Sequence, residues 1–216
     1  MNQAEKFWNA SASNYDRTEE RFEGIHSKSR ENAMKHLNDD DVVLDYGCGT
    51  GTTSCEIAHL VKEVQGIDIS SGMIEIARKK ADAGGIENAN FTHADIFDEA
   101  YKADSFEVIL AFNVLHTVPD PERAVRRMLE LLKPGGLIIS VTPCFRDRIS
   151  FMVRMQILMV HIMCTIGVIP IPIRRLNSAD LDTLMSESGG FQVVDTEMIF
   201  QSVSSYFLVA KKVGEE

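Results

Sequence analysis

Three closely spaced glycines and two acids are the residues whose types and spacing best suit ligand binding. Gly47, Gly49 and Gly51 follow an apolar run that ends in Asp45, and glycines there let the backbone turn sharply and approach a ligand closely. The helix predicted after them offers free amides and a positive dipole end to a carboxylate. Asp68 ends the next apolar run, where an acid can accept hydrogen bonds from both ribose hydroxyls. Together these residues predict a ligand that contains adenosine.

The spacing of the glycines narrows the class of ligand. Gly47, Gly49 and Gly51 form the pattern G-x-G-x-G, whereas dinucleotide-binding loops have G-x-G-x-x-G. A phosphate-binding P-loop would need Gly-Lys followed by Ser or Thr, and the sequence has no such tripeptide. A nicotinamide-dependent oxidoreductase is therefore a disfavoured alternative.

Alternating short strands and helices are predicted to position these residues. Apolar runs predict strands at 42–45, 64–69, 89–96, 106–112 and 137–142, with helices at 52–62, 71–83 and 121–132 between them. Such alternation is typical of parallel strands joined by helical crossovers. Two tail strands, 191–200 and 204–211, are so close in sequence that they must be antiparallel. We therefore predict an α/β fold: a Rossmann-like, doubly wound, mostly parallel seven-stranded sheet with a C-terminal antiparallel hairpin.

The length of 216 residues suits one domain with four parts. We expect a helical cap at 1–37, a ligand-binding core at 38–143, an apolar insertion at 144–177, and a helix and hairpin at 178–216 that complete the core. Residues 155–173 carry no formal charge, but polar residues and prolines interrupt them, so a membrane-spanning helix is disfavoured.

The insertion has a second pattern that could concern an acceptor molecule. Met152, Met155, Met159 and Met163 share one helix face, which predicts either a lid that docks a lipophilic substrate or a helix packed on the sheet. Arginines flank the apolar run at 146, 148, 154, 174 and 175. They could hold an acidic head group or contact a membrane peripherally through 151–173, or they could be solvated edges.

Charge and cysteine usage exclude several classes. The net charge of −10 disfavours nucleic acid as a partner, and by the same argument an anionic membrane. The four cysteines have no zinc-binding spacing, and no metal site is predicted. The N-terminus has no apolar signal core, which predicts a cytoplasmic protein. The oligomeric state stays open.

Five segments between about residues 38 and 143 resemble motifs of the class I S-adenosylmethionine-dependent methyltransferases. They are 43–51, 66–70 followed by Met73, 94–96, 106–116 and 132–136. Trp8 and the run 14–16 are similar to the opening segment of small-molecule enzymes of the ubiquinone and menaquinone type, in which a tyrosine helps to cover the cofactor. The resemblance implies S-adenosylmethionine as cofactor and S-adenosylhomocysteine as product. The cofactor-binding residues that we expect are Tyr15, Asp45, Gly47, Cys48, Gly49, Gly51, Asp68, Ile69, Met73, Asp95, Ile96 and Asn113.

The activity expected from this resemblance is in-line transfer of a methyl group to a small, lipophilic acceptor. Such a transfer needs alignment and exclusion of water more than it needs a base. His116 and Tyr15 are the candidates for proton removal from an acceptor that requires it. Two alternatives stay open: a catalytically silent module that binds the cofactor, and a methyltransferase that acts on a protein. The sequence does not identify the acceptor or the atom that is methylated.

Overall fold

The computed structural model describes residues 2–214, and its centre is one seven-stranded sheet with the strand order β3-β2-β1-β4-β5-β7-β6. The strands are β1 (Val42–Tyr46), β2 (Glu63–Asp68), β3 (Ala89–His93), β4 (Phe106–Phe112), β5 (Leu132–Pro143), β6 (Phe191–Phe200) and β7 (Ser204–Lys212). The first five are parallel, and β7 is antiparallel to both β5 and β6. The predicted fold class is confirmed.

Eight α-helices accompany the sheet in the described residues. They are α1 (Gln3–Ser11), α2 (Tyr15–Glu19), α3 (Glu23–Met34), α4 (Thr52–Ile57), α5 (Ser71–Gly84), α6 (Pro121–Leu131), α7 (Phe151–Thr165) and α8 (Ser178–Glu187). The local sequence explains where two of these helices begin. The Ser70 side chain caps α5 by accepting from the amide of Met73, and Asp120 caps α6 ahead of Pro121. The caps fix where each helix leaves the sheet.

The core has two layers, one on each face of the sheet. Helices α3, α4 and α5 bury apolar side chains such as Ile25, Ile57 and Ile74 on one face. Helices α6 and α8 bury Met128 and Leu181 on the other. Because both faces are covered, the central strands are apolar throughout rather than alternating.

Three predicted element boundaries were wrong. Strand β3 ends at His93 instead of 96, and the helix after the glycine loop changes to a 3-10 turn after Ile57. Strand β5 begins at Leu132 and not at 137, because Leu132 already pairs with Phe106. The Pro-Gly-Gly sequence at 134–136 lies at a register shift inside this strand, and the register resumes where Leu137 pairs with Val108.

The insertion contains one helix, α7, which contains no buried residue. No helix of residues 2–214 is long and apolar enough to cross a membrane. The methionine stripe does not face the sheet. Met152, Met155 and Met159 are 68%, 49% and 60% exposed, so the alternative that this face packs on the sheet was wrong, while the alternative that the segment is a lid for an acceptor stays a prediction. The opposite face of α7, which includes Val153 and Ile157, turns inward instead.

Candidate functional site

The carboxyl ends of three neighbouring strands bring the predicted site together. Strand β1 pairs in parallel with both β2 and β4, so Asp45, Asp68 and Asn113 reach the same edge of the sheet. From β1 the chain continues to β2, which pairs with one edge of β1, whereas β4 pairs with the other edge of β1. This reversal of strand order is where open α/β sheets bind ligands.

The glycine loop is anchored to the end of β2. The amides of Gly47 and Cys48 donate to the carbonyl of Ile67 at 2.8 and 3.0 Å. The Asp68 carboxylate accepts from the Gly49 amide at 3.1 Å and from the Ser70 amide at 2.8 Å. Each carboxylate oxygen thus holds one backbone donor and keeps capacity for a hydroxyl. Burial raises the pKa of Asp68, and the two amide bonds oppose that rise.

A cavity of about 330 Å³, here the Asp68 cavity, opens between the glycine loop and the ends of β2 and β3. Of the predicted cofactor-binding residues, those that line it are Tyr15, Gly47, Gly49, Asp68, Ile69, Met73, Asp95 and Asn113. Trp8, Phe97 and Pro172 add apolar surface. The mixture of apolar walls and a few convergent polar groups is typical of a small-molecule site, and its size falls within the usual range of roughly 300–1,000 Å³.

A second cavity of about 290 Å³, the Asp45 cavity, lies on the other side of the glycine loop. Asp45 and Cys48 line it with the acids of the cap: Asp16, Glu19, Glu20 and Glu23. Burial raises the pKa of Asp45 to about 6, although the Ser54 hydroxyl donates to it at 2.5 Å. A buried acid in an acidic cavity favours a cationic ligand group. Burial also raises the pKa of the Cys48 thiol, so Cys48 is not an activated nucleophile.

The N-terminal helices α1 and α2 cover both cavities on the side that faces away from the sheet. Asn9 of α1 accepts from the Ser70 hydroxyl at 2.7 Å and from the Gly72 amide at 2.9 Å, which joins α1 to the start of α5. The Thr50 hydroxyl of the glycine loop donates to Asp16 at 2.5 Å. These bonds hold Tyr15 over the loop, with its ring 3.7 Å from where a Gly49 side chain would begin.

A third cavity of about 310 Å³, the α7 cavity, lies under the inner face of α7. Its walls are mostly apolar, and the residues of α7 that line it are Val153, Gln156, Ile157 and Val160. His116 lines it too. Tyr15 and Asn113 are the two residues that line all three cavities. A ligand in the first two cavities and a molecule in the third would therefore meet beside these two side chains.

Burial decides what the two predicted catalytic residues can do. It lowers the pKa of His116 to about 4, and its Nδ1 is buried without a hydrogen-bond partner. Such an imidazole is neutral at pH 7 and a weak base. Burial also raises the pKa of Tyr15 far above its usual value, with Glu19 and Asp68 adding to the effect. The phenol therefore stays protonated and can donate a hydrogen bond.

Sequence reasoning missed a histidine that the structure places at the junction. His26 lines both the Asp45 and the α7 cavities. Its Nε2 lies 3.2 Å from Glu19 Oε2, and its Nδ1 lies 3.5 Å from the side-chain nitrogen of Asn113. His36 with Asp195 and His93 with Glu5 form two further histidine–carboxylate pairs. The seven-residue spacing of Glu19 and His26, two helical turns, was the available signal.

Two predicted cofactor-binding residues line none of the three cavities. The Ile96 side chain is fully buried in the core, which leaves only its backbone for a ligand. Gly51 has a φ of +75°, and a Cβ there would lie 2.8 Å from Ala77 and 2.9 Å from the Phe91 ring. Gly51 thus lets α4 pack tightly against its neighbours. Within residues 2–214 no group of three or more His, Cys, Asp or Glu side chains could hold a metal ion.

Comparison with solved structures identifies the class of fold. A putative methyltransferase of Haloferax volcanii, solved in complex with the Trm112 methyltransferase activator, superposes with a TM-score of 0.79 over 99% of both chains. Its sequence identity is 17%, so this likeness shows the fold alone. The fold is that of the Rossmann-like methyltransferases.

Sequence comparison identifies the family. A family model described as a methyltransferase domain matches residues 37–186, and the chain belongs to this family. It is similar to a demethylmenaquinone methyltransferase of Clavibacter sepedonicus, with 35% identity over 45% of this chain and 39% of that protein. It is also similar to the aklanonic acid methyltransferase DauC of Streptomyces sp. (strain C5), with 36% identity over 48% of this chain and 49% of that protein. The matches thus span less than half the length of these relatives.

Proposed function

We propose that this protein transfers a methyl group from S-adenosylmethionine to a small, lipophilic acceptor. The observation that carries the proposal is the convergence of the Asp68, Asp45 and α7 cavities on Tyr15 and Asn113. Two cavities suit the two ends of the cofactor, and the third, which is apolar, suits the acceptor. The relatives, named for demethylmenaquinone and aklanonic acid, support an acceptor of low molecular weight.

The residues present fit the cofactor at three points. Asp68 keeps acceptor capacity for the ribose hydroxyls. Ile69 and Met73 supply apolar contact for the adenine ring, with Asp95 beside them for its amino group. The buried Asp45 suits the ammonium group of the methionine end, because a nearby cation would stabilise its charged form. A cofactor held at these points would extend along the glycine loop from one cavity into the next.

The role of the chain is to align the cofactor with the acceptor and to exclude water from both. When bound, S-adenosylmethionine supplies an already activated methyl group on a sulfonium. The cap holds Tyr15 over the glycine loop through Asn9 and Asp16, and α7 covers the acceptor from the other side. Holding two reactants in line in this way can contribute on the order of 7–11 kcal/mol to lowering a barrier.

Proton removal, for an acceptor that requires it, has three candidate side chains. Tyr15 stays protonated and would orient the acceptor by donating a hydrogen bond. His116, with a pKa of about 4, would be a weak base and would mainly line the cavity. His26 is the base that we favour, because Glu19 can accept a hydrogen bond from its Nε2–H group and orient the ring, as in catalytic triads. The lone pair then lies on Nδ1, beside Asn113.

Two measurements test the proposal. The first is calorimetric titration of the purified protein with S-adenosylhomocysteine, with reduced nicotinamide cofactor in parallel, and we expect only the former to bind. The second is turnover of radiolabelled S-adenosylmethionine with a panel of hydroquinones and aromatic polyketides. Binding without turnover on any small acceptor would favour a silent module, and labelling of a protein instead would favour a protein methyltransferase. Failure of S-adenosylhomocysteine to bind a folded, cofactor-free sample would refute the proposal.

A further inference from the structure

The outer face of α7 and the turn after it form a concentrated exposed apolar surface. Eight of the thirteen exposed large apolar side chains in residues 2–214 lie between 151 and 168. We call these eight the α7 surface: Phe151, Met152, Met155, Leu158, Met159, Ile162, Ile166 and Val168, each between 49% and 74% exposed. Scattered apolar side chains are normal on a protein surface, whereas a contiguous patch marks an interaction site.

The charge of the segment around the α7 surface also differs from that of the rest of the chain. The stretch from 148 to 179 has four arginines and no acid, in a chain whose net charge is −10. Arg146, just before it, is paired with Asp180. Arg154, within α7, and Arg175, beyond it, are exposed and have no carboxylate partner in residues 2–214. The surface is therefore apolar with cationic edges.

We propose that the α7 surface docks on an anionic phospholipid bilayer and that the acceptor enters the α7 cavity from there. Apolar side chains with arginines beside them match the apolar interior and anionic head groups of such a bilayer. The acidic remainder of the chain is repelled by the same head groups, which fixes the docking face. The proposal deepens the function above by naming a bilayer-dissolved acceptor, and it rests on that function for its second half.

The two faces of α7 connect the bilayer to the site. The inner face lines the α7 cavity with Val153, Ile157 and Val160, while Leu158, Met159 and Ile162 on the outer face are 51–60% exposed. With no residue of α7 buried, this helix is held by fewer apolar contacts than the core helices are. A hydrocarbon chain could thus pass beside α7 from the bilayer to the junction at Tyr15 and Asn113 without crossing water.

The test is flotation of the full chain with vesicles of mixed phosphatidylglycerol and phosphatidylcholine, and with vesicles of phosphatidylcholine alone. We expect the protein to float with the mixed vesicles and at least about tenfold more weakly with the neutral ones. The triple variant Met155→Ser, Met159→Ser, Ile162→Ser should lower the partition coefficient by at least about tenfold. Its matched control is Val193→Ser, Val194→Ser, Met198→Ser on the exposed strand β6, which should float like the wild type.

Absence of the wild type from both vesicle fractions would overturn the proposal. So would a dimer in light scattering that the α7 triple variant abolishes, because a second copy would then cover the surface. Flotation unaffected by the triple variant would overturn it as well. Thermal unfolding of each variant serves as the folding control, because it stays valid whether or not S-adenosylhomocysteine binds. Flotation by a protein that does not bind S-adenosylhomocysteine would refute the proposed function while leaving the docking surface intact.

Discussion

Asp45 gives the sharpest prediction. Its buried charge should lower the free energy of unfolding of the ligand-free protein, and a bound cationic group should offset that loss. Burial raises its pKa from 3.8 to about 6, and each pKa unit corresponds to about 1.36 kcal/mol. A raised pKa means that the folded state binds the proton more tightly, so stability falls as pH rises from 3.8 to 6. Above pH 6 the charged Asp45 lowers the free energy of unfolding by up to about 3 kcal/mol.

The variant Asp45→Asn removes this charge with little change of shape. Its side-chain oxygen can still accept from the Ser54 hydroxyl, and its amide nitrogen can find water, since residue 45 lines a cavity. At pH 8 we expect the ligand-free variant to be more stable than the wild type by up to about 3 kcal/mol, or roughly 6–12 °C in melting temperature. Near pH 4, where the folded state protonates Asp45 and the unfolded state, with a pKa of 3.8, is only partly ionised, most of the gain should be lost. The same variant should bind S-adenosylhomocysteine more weakly at pH 8, because the ammonium group loses its anion.

The assay is thermal unfolding at several pH values between 4 and 8, with calorimetric titration beside it. The control is Asp41→Asn at the opposite end of β1, where Asp41 accepts from the Asn38 amide at 2.7 Å. We expect this control to leave the affinity for S-adenosylhomocysteine unchanged; because burial raises the pKa of Asp41 as well, Asp41→Asn controls for ligand binding and not for the sign of the stability change. The reasoning is refuted if Asp45→Asn destabilises the ligand-free protein at pH 8, or if its gain is the same at pH 4.

Three further substitutions test other parts of the site. Asp68→Asn should weaken S-adenosylhomocysteine binding by roughly 10–100-fold in calorimetry, because one oxygen becomes a donor facing a backbone amide; unchanged affinity would remove Asp68 from the site. His26→Gln should slow single-turnover methylation of a proton-bearing acceptor by roughly 10²–10⁴-fold with cofactor affinity unchanged, and a larger loss in His116→Gln would reverse our assignment. Gly51→Ala should destabilise by about 2–5 kcal/mol in urea unfolding through strain and close contact with Ala77. Gly85→Ala, with a similar φ but open space around it, should cost only about 1–2 kcal/mol.

The sequence was sufficient to predict the sheet and the positions of the glycine loop and Asp68, because these depend on short-range signals. The five parallel strands are apolar runs separated by caps and glycines, and each such signal acts within a few residues. The loop at 47–51 and Asp68 each end a strand, so their positions at one edge follow from strand direction alone. Strand β5 was placed too late because a Pro-Gly-Gly sequence is typical of turns, whereas here the strand continues through it.

The α7 cavity could not be predicted in the same way, because it depends on contacts between distant segments. The spacing of the methionines in α7 identifies a helix face, but periodicity does not say which of two apolar faces turns inward. Val153, Ile157 and Val160 are at the same helical spacing as the methionines, and they are the ones that line the cavity. His26 approaches Asn113 across 87 residues of sequence, and no local pattern reports such a pairing.

The backbone conformation of Asn113 points to a role for its side chain at the place where the three cavities join. It has a φ of +54°, a conformation that costs a non-glycine residue energy and is tolerated more readily by asparagine than by most others. A glycine would meet the backbone requirement with less strain, so the side chain is the part that needs explanation. That side chain faces all three cavities and lies 3.5 Å from His26 Nδ1. The strain at Asn113 is therefore consistent with a functional role: it holds a polar group where the three cavities meet, beside the histidine that we propose as the base.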